Sequence, residues 1–248
     1  MQSLSVAIKK TIPLLGAIFY LLTACNKSNY NNTSGSNGQA YVSVTNASPG
    51  TSAYDIFSDN TKVNTSGQLS YGSTTGSAGN PYLAFPIGTH SFRLSSNGTS
   101  FVSDTSVAFM ANQHYSVFAY DTLQSGKLRT LILKDNLTVP ISGQAGVRFL
   151  NLSSNVSSEN ALLIRGMDTI RINNLAFVGN TTTSIDSLAV FRTVNAGTYN
   201  IRVNSGENIL WSRDSLTLAS GKVYTIYSRG FMNGTGVDSL STGVIQGN

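Results

Sequence analysis

A composition short of helix formers, a two-copy internal repeat and a series of short period-two segments predict an all-β chain. The predicted architecture is two tandem immunoglobulin-like β-sandwich domains. The 248 residues suffice for one or two domains with real cores. Only 11% of them are charged, about half the usual share, so the polar surface has to come from Ser, Thr, Asn and Gly. Ser, Thr and Asn compete for backbone hydrogen bonds and Gly weakens helix interiors, which leaves strands and turns. Glutamate occurs only at Glu159 and Glu207. Beyond residue 24 no 3.6-residue stripe runs for three turns.

Taken in order, the chain opens with a leader over residues 1–24. Lys9 and Lys10 form a positive flank, Ile12 to Leu22 is an apolar run too short for an ordinary membrane span, and small Thr23 and Ala24 precede Cys25. Leu22-Thr23-Ala24-Cys25 resembles the lipobox of bacterial lipoproteins. That resemblance implies cleavage before Cys25, a diacylglyceryl thioether with palmitate-type chains on its sulfur, and acylation of the freed amine. Several chains anchor stably where one binds a bilayer only marginally. The implied location is the bacterial cell envelope, lipid-anchored in the outer membrane, because Asn26 stands where an inner-membrane retention signal often has Asp. The acidic cluster that resembles a surface-export signal in Bacteroidetes lipoproteins is missing, so periplasmic and surface-facing orientations both stay open. Cys25 is the only cysteine, which excludes disulfides and thiolate metal sites from the body of the protein.

Residues 25–38, rich in Asn, Ser and Gly, read as a flexible tether with a mean reach of about 20 Å. The sequence pI of 9.4 does not signal nucleic acid. Loss of Lys9 and Lys10 with the leader takes the net charge from +5 to +3, and the remaining Lys and Arg are scattered singly, with no basic stripe. The expected partners are the membrane, through the N-terminal lipid, and an extracellular glycan or protein.

From residue 39 the chain repeats itself. Gln39 to Asn46 lines up with Gln144 to Asn151, Pro86 to Leu94 with Asn195 to Val203, and Tyr115 to Phe118 with Tyr224 to Tyr227. The offset drifts only from 105 to 109 across these blocks. Arg129 to Asn136 pairs with Ser241 to Asn248 at the two ends. A period this long means two copies of a whole domain, placed at 39–136 and 144–248 with the join near 137–143. Each copy reads as about seven strands. Pro86-Ile87-Gly88 and Asn195-Ala196-Gly197 are read as hairpin loops, Gly supplying positive φ. Val107/Phe109 and Leu216/Leu218 are read as inner-face pairs, Tyr224 to Ser228 as an alternating strand, and Trp211 as a core or edge plug.

The segments Val-Thr-Asn-Ala-Ser-Pro-Gly (44–50), Ala-Tyr-Asp-Ile-Phe (53–57), Tyr-Leu-Ala-Phe-Pro-Ile-Gly-Thr-His (82–90) and Ala-Asn-Gln-His-Tyr-Ser-Val-Phe-Ala (111–119) together resemble the domain of unknown function 4397 family. The resemblance covers 40–136 and implies a β-sandwich, often in tandem, in secreted or anchored bacterial proteins. It carries no catalytic residue. The second copy departs from the pattern at Leu152-Ser153-Ser154 and at Tyr199, which replaces the histidine.

Signals for chemistry are sparse. His90 and His114 are the only histidines, and their repeat equivalents are Tyr199 and Val223. A hydrolase would need one of them joined to an Asp and a hydroxyl in a cleft. No Gly-x-Ser-x-Gly elbow, His-Glu-x-x-His or phosphate loop occurs. Asp55 and Asp59 lack calcium-loop spacing and read as a solvated loop. No catalytic residue, metal ligand or cofactor is therefore predicted. Asp followed by Ser or Thr and an apolar residue occurs at Asp121-Thr122-Leu123, Asp168-Thr169-Ile170, Asp186-Ser187-Leu188, Asp214-Ser215-Leu216 and Asp238-Ser239-Leu240. Composition alone predicts roughly one such triplet. The pattern resembles the O-glycosylation acceptor motif of Bacteroidetes envelope proteins, making Thr122, Thr169, Ser187, Ser215 and Ser239 candidate acceptors. Asp ending a turn before an alternating strand would produce the same triplet. The expected function is a non-enzymatic, membrane-anchored binding, adhesion or scaffolding module. The alternative is a glycan-binding accessory lipoprotein of a polysaccharide-uptake system, with Tyr54, Tyr71, Tyr82 and Trp211 as sugar-stacking candidates.

Overall fold

A computed structural model describes residues 38–180 and 184–248, so the expected leader, the lipid-bearing Cys25 and all of the tether but its last residue lie outside the described residues. What is described is almost entirely β-structure, arranged as two copies of one sandwich. In the first copy β1 (Ala40–Asn46), β4 (Leu83–Phe85), β7 (His114–Gln124) and β8 (Lys127–Asp135) form a sheet in the order β4-β1-β7-β8. Facing it, β2 (Asp55–Ser58), β3 (Thr61–Lys62), β5 (Gly88–Ser95) and β6 (Phe101–Phe109) form a sheet in the order β3-β2-β5-β6.

The second copy repeats this strand for strand. There β9 (Gln144–Asn151), β12 (Arg192–Asn195), β15 (Val223–Arg229) and β16 (Ser241–Gln246) take the order β12-β9-β15-β16, opposite β10 (Ser158–Arg165), β11 (Asp168–Ala176), β13 (Gly197–Ser205) and β14 (Asn208–Leu218) in the order β11-β10-β13-β14. The registers repeat as well. Tyr115 opposes Lys134 and Tyr224 opposes Gln246; Tyr41 lies beside His114 and Gly146 beside Val223, in parallel pairs at the centre of each sheet.

Each copy thus has eight strands rather than about seven; in the first, β3 and β4 are two and three residues long, too short to show a period. The two glycine turns also differ from expectation. Phe85 ends a strand of one sheet and Gly88 begins a strand of the other, so Pro86-Ile87-Gly88 is a corner between sheets and not a hairpin. Asn195-Ala196-Gly197 does the same in the second copy. Positive φ at Gly88 (109°) and Gly197 (152°) lets the chain change layers there without a Cβ clash.

Val42, Val44, Ile56, Phe92, Leu94, Phe109 and Val117 fill the first sandwich, and Val147, Leu163, Tyr199, Ile201, Leu216, Leu218 and Ile226 the second. Val107 and Trp211 pack against these cores while partly exposed. Identical bonds tie the copies' corners. Met110 N–H donates to the Tyr115 hydroxyl (3.1 Å) and Ala219 N–H to the Tyr224 hydroxyl (3.0 Å). The side-chain oxygens of Asn46 and Asn151 accept the N–H of Ser48 and Ser153 (3.2 and 3.1 Å). Those serine hydroxyls donate to the carbonyls of Asp121 and Gly230. The Asn-Ala-Ser and Asn-Leu-Ser segments are therefore buried turn clamps, which explains their survival in both copies.

A third core joins the copies. Phe118, Tyr120, Leu131 and Leu133 from the first pack against Leu150, Leu152, Tyr227 and Ile245 from the second. The Phe118 and Tyr227 rings lie 5.6 Å apart, edge to face. Strands β7 and β15 are consequently buried on both faces over Tyr115–Tyr120 and Val223–Ser228. The alternation at Tyr224 to Ser228 does not separate inside from outside, because its second face meets the other copy.

One polar group sits badly in this packing. Glu159 takes the place that Tyr54 holds in the first copy, as the partners of the neighbouring residues show: Ile56 opposes Leu94 and Ala161 opposes Val203. The Ser228 hydroxyl donates to Glu159 Oε1 at 2.7 Å, while Oε2 is buried with no partner among the described residues. Burial pushes this carboxyl up from 4.5 to about 7. The folded state then holds a proton that the unfolded chain releases, so stability falls as pH rises from about 4.5 to about 7 and stays low above that. The expected loss is roughly 3 kcal/mol. Glu159→Gln is expected to flatten that slope in urea denaturation measured between these limits; an unchanged slope would assign it to other groups.

Candidate functional site

The residues singled out from the sequence are not gathered in one place. Asp59 Oδ2 lies 2.7 Å from His90 Nδ1, and its Oδ1 accepts the Ser91 N–H at 2.9 Å. His90 Nε2 faces the Ile87 carbonyl at 3.0 Å, where a catalytic histidine would meet a hydroxyl. The bond to Asp59 raises the imidazole pKa, and the same bond lowers that of the carboxyl. This pair latches the β2–β3 turn to β5. His114 stacks on Tyr41 (4.9 Å, 17°) and meets Tyr82 edge-on (4.7 Å); burial lowers its pKa. Asp55 pairs with Lys62 at 2.7 Å, so Asp55 and Asp59 have separate partners. Among the described residues no three His, Cys, Asp or Glu side chains lie close enough to hold a metal.

The candidate glycosylation hydroxyls occupy five different settings. Thr122 is half-buried after Asp121, whose φ of 67° marks a bulge between β7 and β8. Thr169 is exposed at the start of β11, and Ser187 is exposed in the one-turn helix α1 (Ile185–Leu188). Ser215 is exposed at a bulge of β14 with φ 59°. Ser239 is half-buried just after a 3-10 turn (Gly236–Asp238). No hydroxyl of the five lies in a core. The turn-then-strand explanation of the triplet fits only Asp168, which begins β11 after the Gly166-Met167 turn.

Of the four sugar-stacking candidates, Tyr54 is 1% exposed and cannot meet a ligand. Tyr82 donates its hydroxyl to Asp135 Oδ2 at 2.9 Å; burial first and Asp135 second push the phenol pKa far up. Tyr82 thereby belongs to a buried polar network between the copies, which the sequence did not announce. Arg148 Nη1 lies 2.7 Å from Asp135 Oδ1, with 2% and 0% of the two side chains exposed. Arg148 also donates from Nη2 to Ser116 Oγ (2.9 Å) and from Nε to Thr225 Oγ1 (2.8 Å), and its guanidinium lies over Phe191. Ser116 Oγ donates to Asp135 Oδ2 at 2.6 Å. The one available hint was an arginine between Val147 and Phe149 in an otherwise apolar strand, where the first copy has Ser43.

Tyr71 and Trp211 do share a site. They line a groove of about 450 Å³ together with Arg229, Val237, Ser239 and Leu240. Tyr71 comes from a loop of the first sandwich, Trp211 from β14, Arg229 from the end of β15, and the rest from the segment preceding β16. Gly50 N–H donates to Asp238 Oδ1 at 2.9 Å, tying this segment to the first sandwich. The Arg229 guanidinium lies 4.7 Å from the Tyr71 ring centroid and against Gly72, where a Cβ would stand 1.8 Å from Nη1. Arg229 Nε and the Tyr71 hydroxyl are both buried, and the two side chains serve as polar partners to each other. The sequence offered two of these side chains but not Arg229, which is remote from both along the chain.

Fold and site together define a tandem β-sandwich protein whose copies share a core and a groove at their junction. Residues 40–158 match the family model described as Domain of unknown function (DUF4397), from β1 through the first sandwich to the first residue of β10. No curated protein matches the chain. Among solved structures, a leucine-rich repeat protein from Bacteroides thetaiotaomicron VPI-5482 is similar at 13% identity and a TM-score of 0.19. That likeness covers 76% of this chain and 25% of the other, so the chain spans about a quarter of that protein's length.

Proposed function

We propose that the protein is a non-enzymatic, lipid-anchored envelope protein whose joined sandwiches act as a binding, adhesion or scaffolding module. The observation that carries this reading is the junction. A third core and the Arg148–Asp135 pair hold two loop-bearing domains in one geometry, as a surface presented to a partner requires. The lipobox at Leu22 to Cys25 and the polar segment after it support the anchor. Among the described residues no helix is long and apolar enough to cross a membrane. The acylated cysteine is the proposed link to the outer membrane.

Growth with labelled palmitate followed by fractionation tests this. The expected result is label and protein together in the membrane fraction, with both lost in Cys25→Ser. Unlabelled wild-type protein in the soluble fraction would overturn the anchor. Mass spectrometry of the same preparation reads whether Thr122, Thr169, Ser187, Ser215 and Ser239 carry glycan.

A second reading, a glycan-binding accessory of a polysaccharide-uptake system, is favoured by the presence of Tyr71 and Trp211 in one groove. A glycan array probed with the full chain tests it, and signal no higher than background would remove it.

A further inference from the structure

The groove between the sandwiches contains a cation, Arg229, that folding has placed without an ion-pair partner among the described residues. Three other arginines are paired with acids: half-buried Arg93 with Asp104, exposed Arg129 with Asp121, and buried Arg148 with Asp135. Among the described residues no carboxylate lies within ion-pair distance of Arg229; its guanidinium is engaged by Tyr71. A guanidinium held at a groove wall without a carboxylate beside it is the group that an incoming anion would pair with. The Asp238 carboxylate lies farther off, close enough to act on Tyr71, and its Oδ1 accepts the Gly50 N–H. Gly72, at φ 80°, leaves the space in which the guanidinium lies, so the cation is held in place by Tyr71 on one side and by the main chain on another.

The rest of the groove narrows the ligand class. Trp211 supplies an aromatic surface and Ser239 and Ser241 supply polar atoms. The volume of about 450 Å³ falls within the roughly 300–1,000 Å³ typical of small-ligand sites. A planar fork that pairs with carboxylates, beside an indole and several hydroxyls, matches a sugar ring bearing a carboxylate. A peptide terminus would use the arginine but leave the indole and the hydroxyl-rich rim without a role.

We propose that the groove formed by Tyr71, Arg229 and Trp211 binds a uronate residue of an acidic glycan, with the carboxylate on Arg229 and the sugar ring against Trp211. This rests on the glycan-binding reading and adds the charge of the sugar and the residue that selects it.

Trp211 is the only tryptophan, so its fluorescence reports the groove directly. The full chain is titrated with oligogalacturonate, with a glucuronate-containing oligosaccharide, with methyl-esterified oligogalacturonate and with a glutamate oligopeptide. The expected result is a saturable change with at least one uronate, binding at least tenfold weaker for the methyl ester, and at least a tenfold loss in Arg229→Gln. If Arg229→Gln unfolds early, the comparison of acid with ester on the wild-type chain decides alone. Equal affinity for acid and ester would overturn the uronate assignment while leaving a glycan site standing. Response to the peptide without the uronates would assign the groove to acidic peptides and overturn it as well. Silence toward all four overturns it, and the array result then says separately whether glycans bind elsewhere.

Discussion

Arg148→Met is expected to lower the stability of the protein by about 3–5 kcal/mol, a fall in melting temperature on the order of 10 °C for a protein of this size. The loss comes from what remains behind. Asp135 would keep the Tyr82 and Ser116 hydroxyls as donors but would hold a negative charge at a place where none of its side chain reaches water. Thr225 would lose its donor from Arg148 at the same time. Removing both charges should hurt less than removing one. Arg148→Met combined with Asp135→Asn, which keeps an acceptor for Tyr82 and Ser116, is expected to regain at least half of the loss. Urea denaturation of the three proteins checks both statements. A single-variant loss under about 1 kcal/mol would mean that water reaches the pair.

Phe118→Ala is expected to cost a comparable amount, about 3–5 kcal/mol, and to change how the protein unfolds. Phe118 is fully buried and packs edge to face on Tyr227 of the other copy. Its removal leaves a cavity in the core between the sandwiches while sparing the core inside each. Trp211 fluorescence reports the second sandwich and far-ultraviolet circular dichroism reports both. In the wild type the two transitions are expected to coincide, as for a single cooperative unit. In Phe118→Ala they should separate, the fluorescence change no longer tracking the loss of total strand. Coincident transitions at lower denaturant would show that the copies remain coupled without this ring.

The strands were legible in the sequence because the repeat displays them twice and because pairs such as Leu216/Leu218 bury one face each. The joint between copies was not legible, for a chemical reason. The faces that meet there include Ser43, Thr45, Ser116 and Thr225, all buried, and hydroxyl side chains alternating with apolar ones read as a solvated face. Hydroxyls fit both settings, since each can satisfy itself within a small network. The inter-sheet corners were mistaken for hairpins because glycine at positive φ serves equally in either. Of the groove, Tyr71 and Trp211 were visible as aromatic candidates, whereas nothing in the spacing of residues 71, 211 and 229 brings them together; only the packing of one copy on the other does. Tyr54 was named with them and belongs to the core.

The parallel pairing at the centre of each sheet has a mechanical consequence. A pull entering at Ala40 runs along β1, which is joined to β7 by six successive residue pairs from Tyr41–His114 to Asn46–Ala119. Tension along that axis loads all these rungs together in shear instead of peeling them off singly. The proposed anchor, if drawn tight by flow or by a bound polymer, would thus meet the strand arrangement in its most resistant direction.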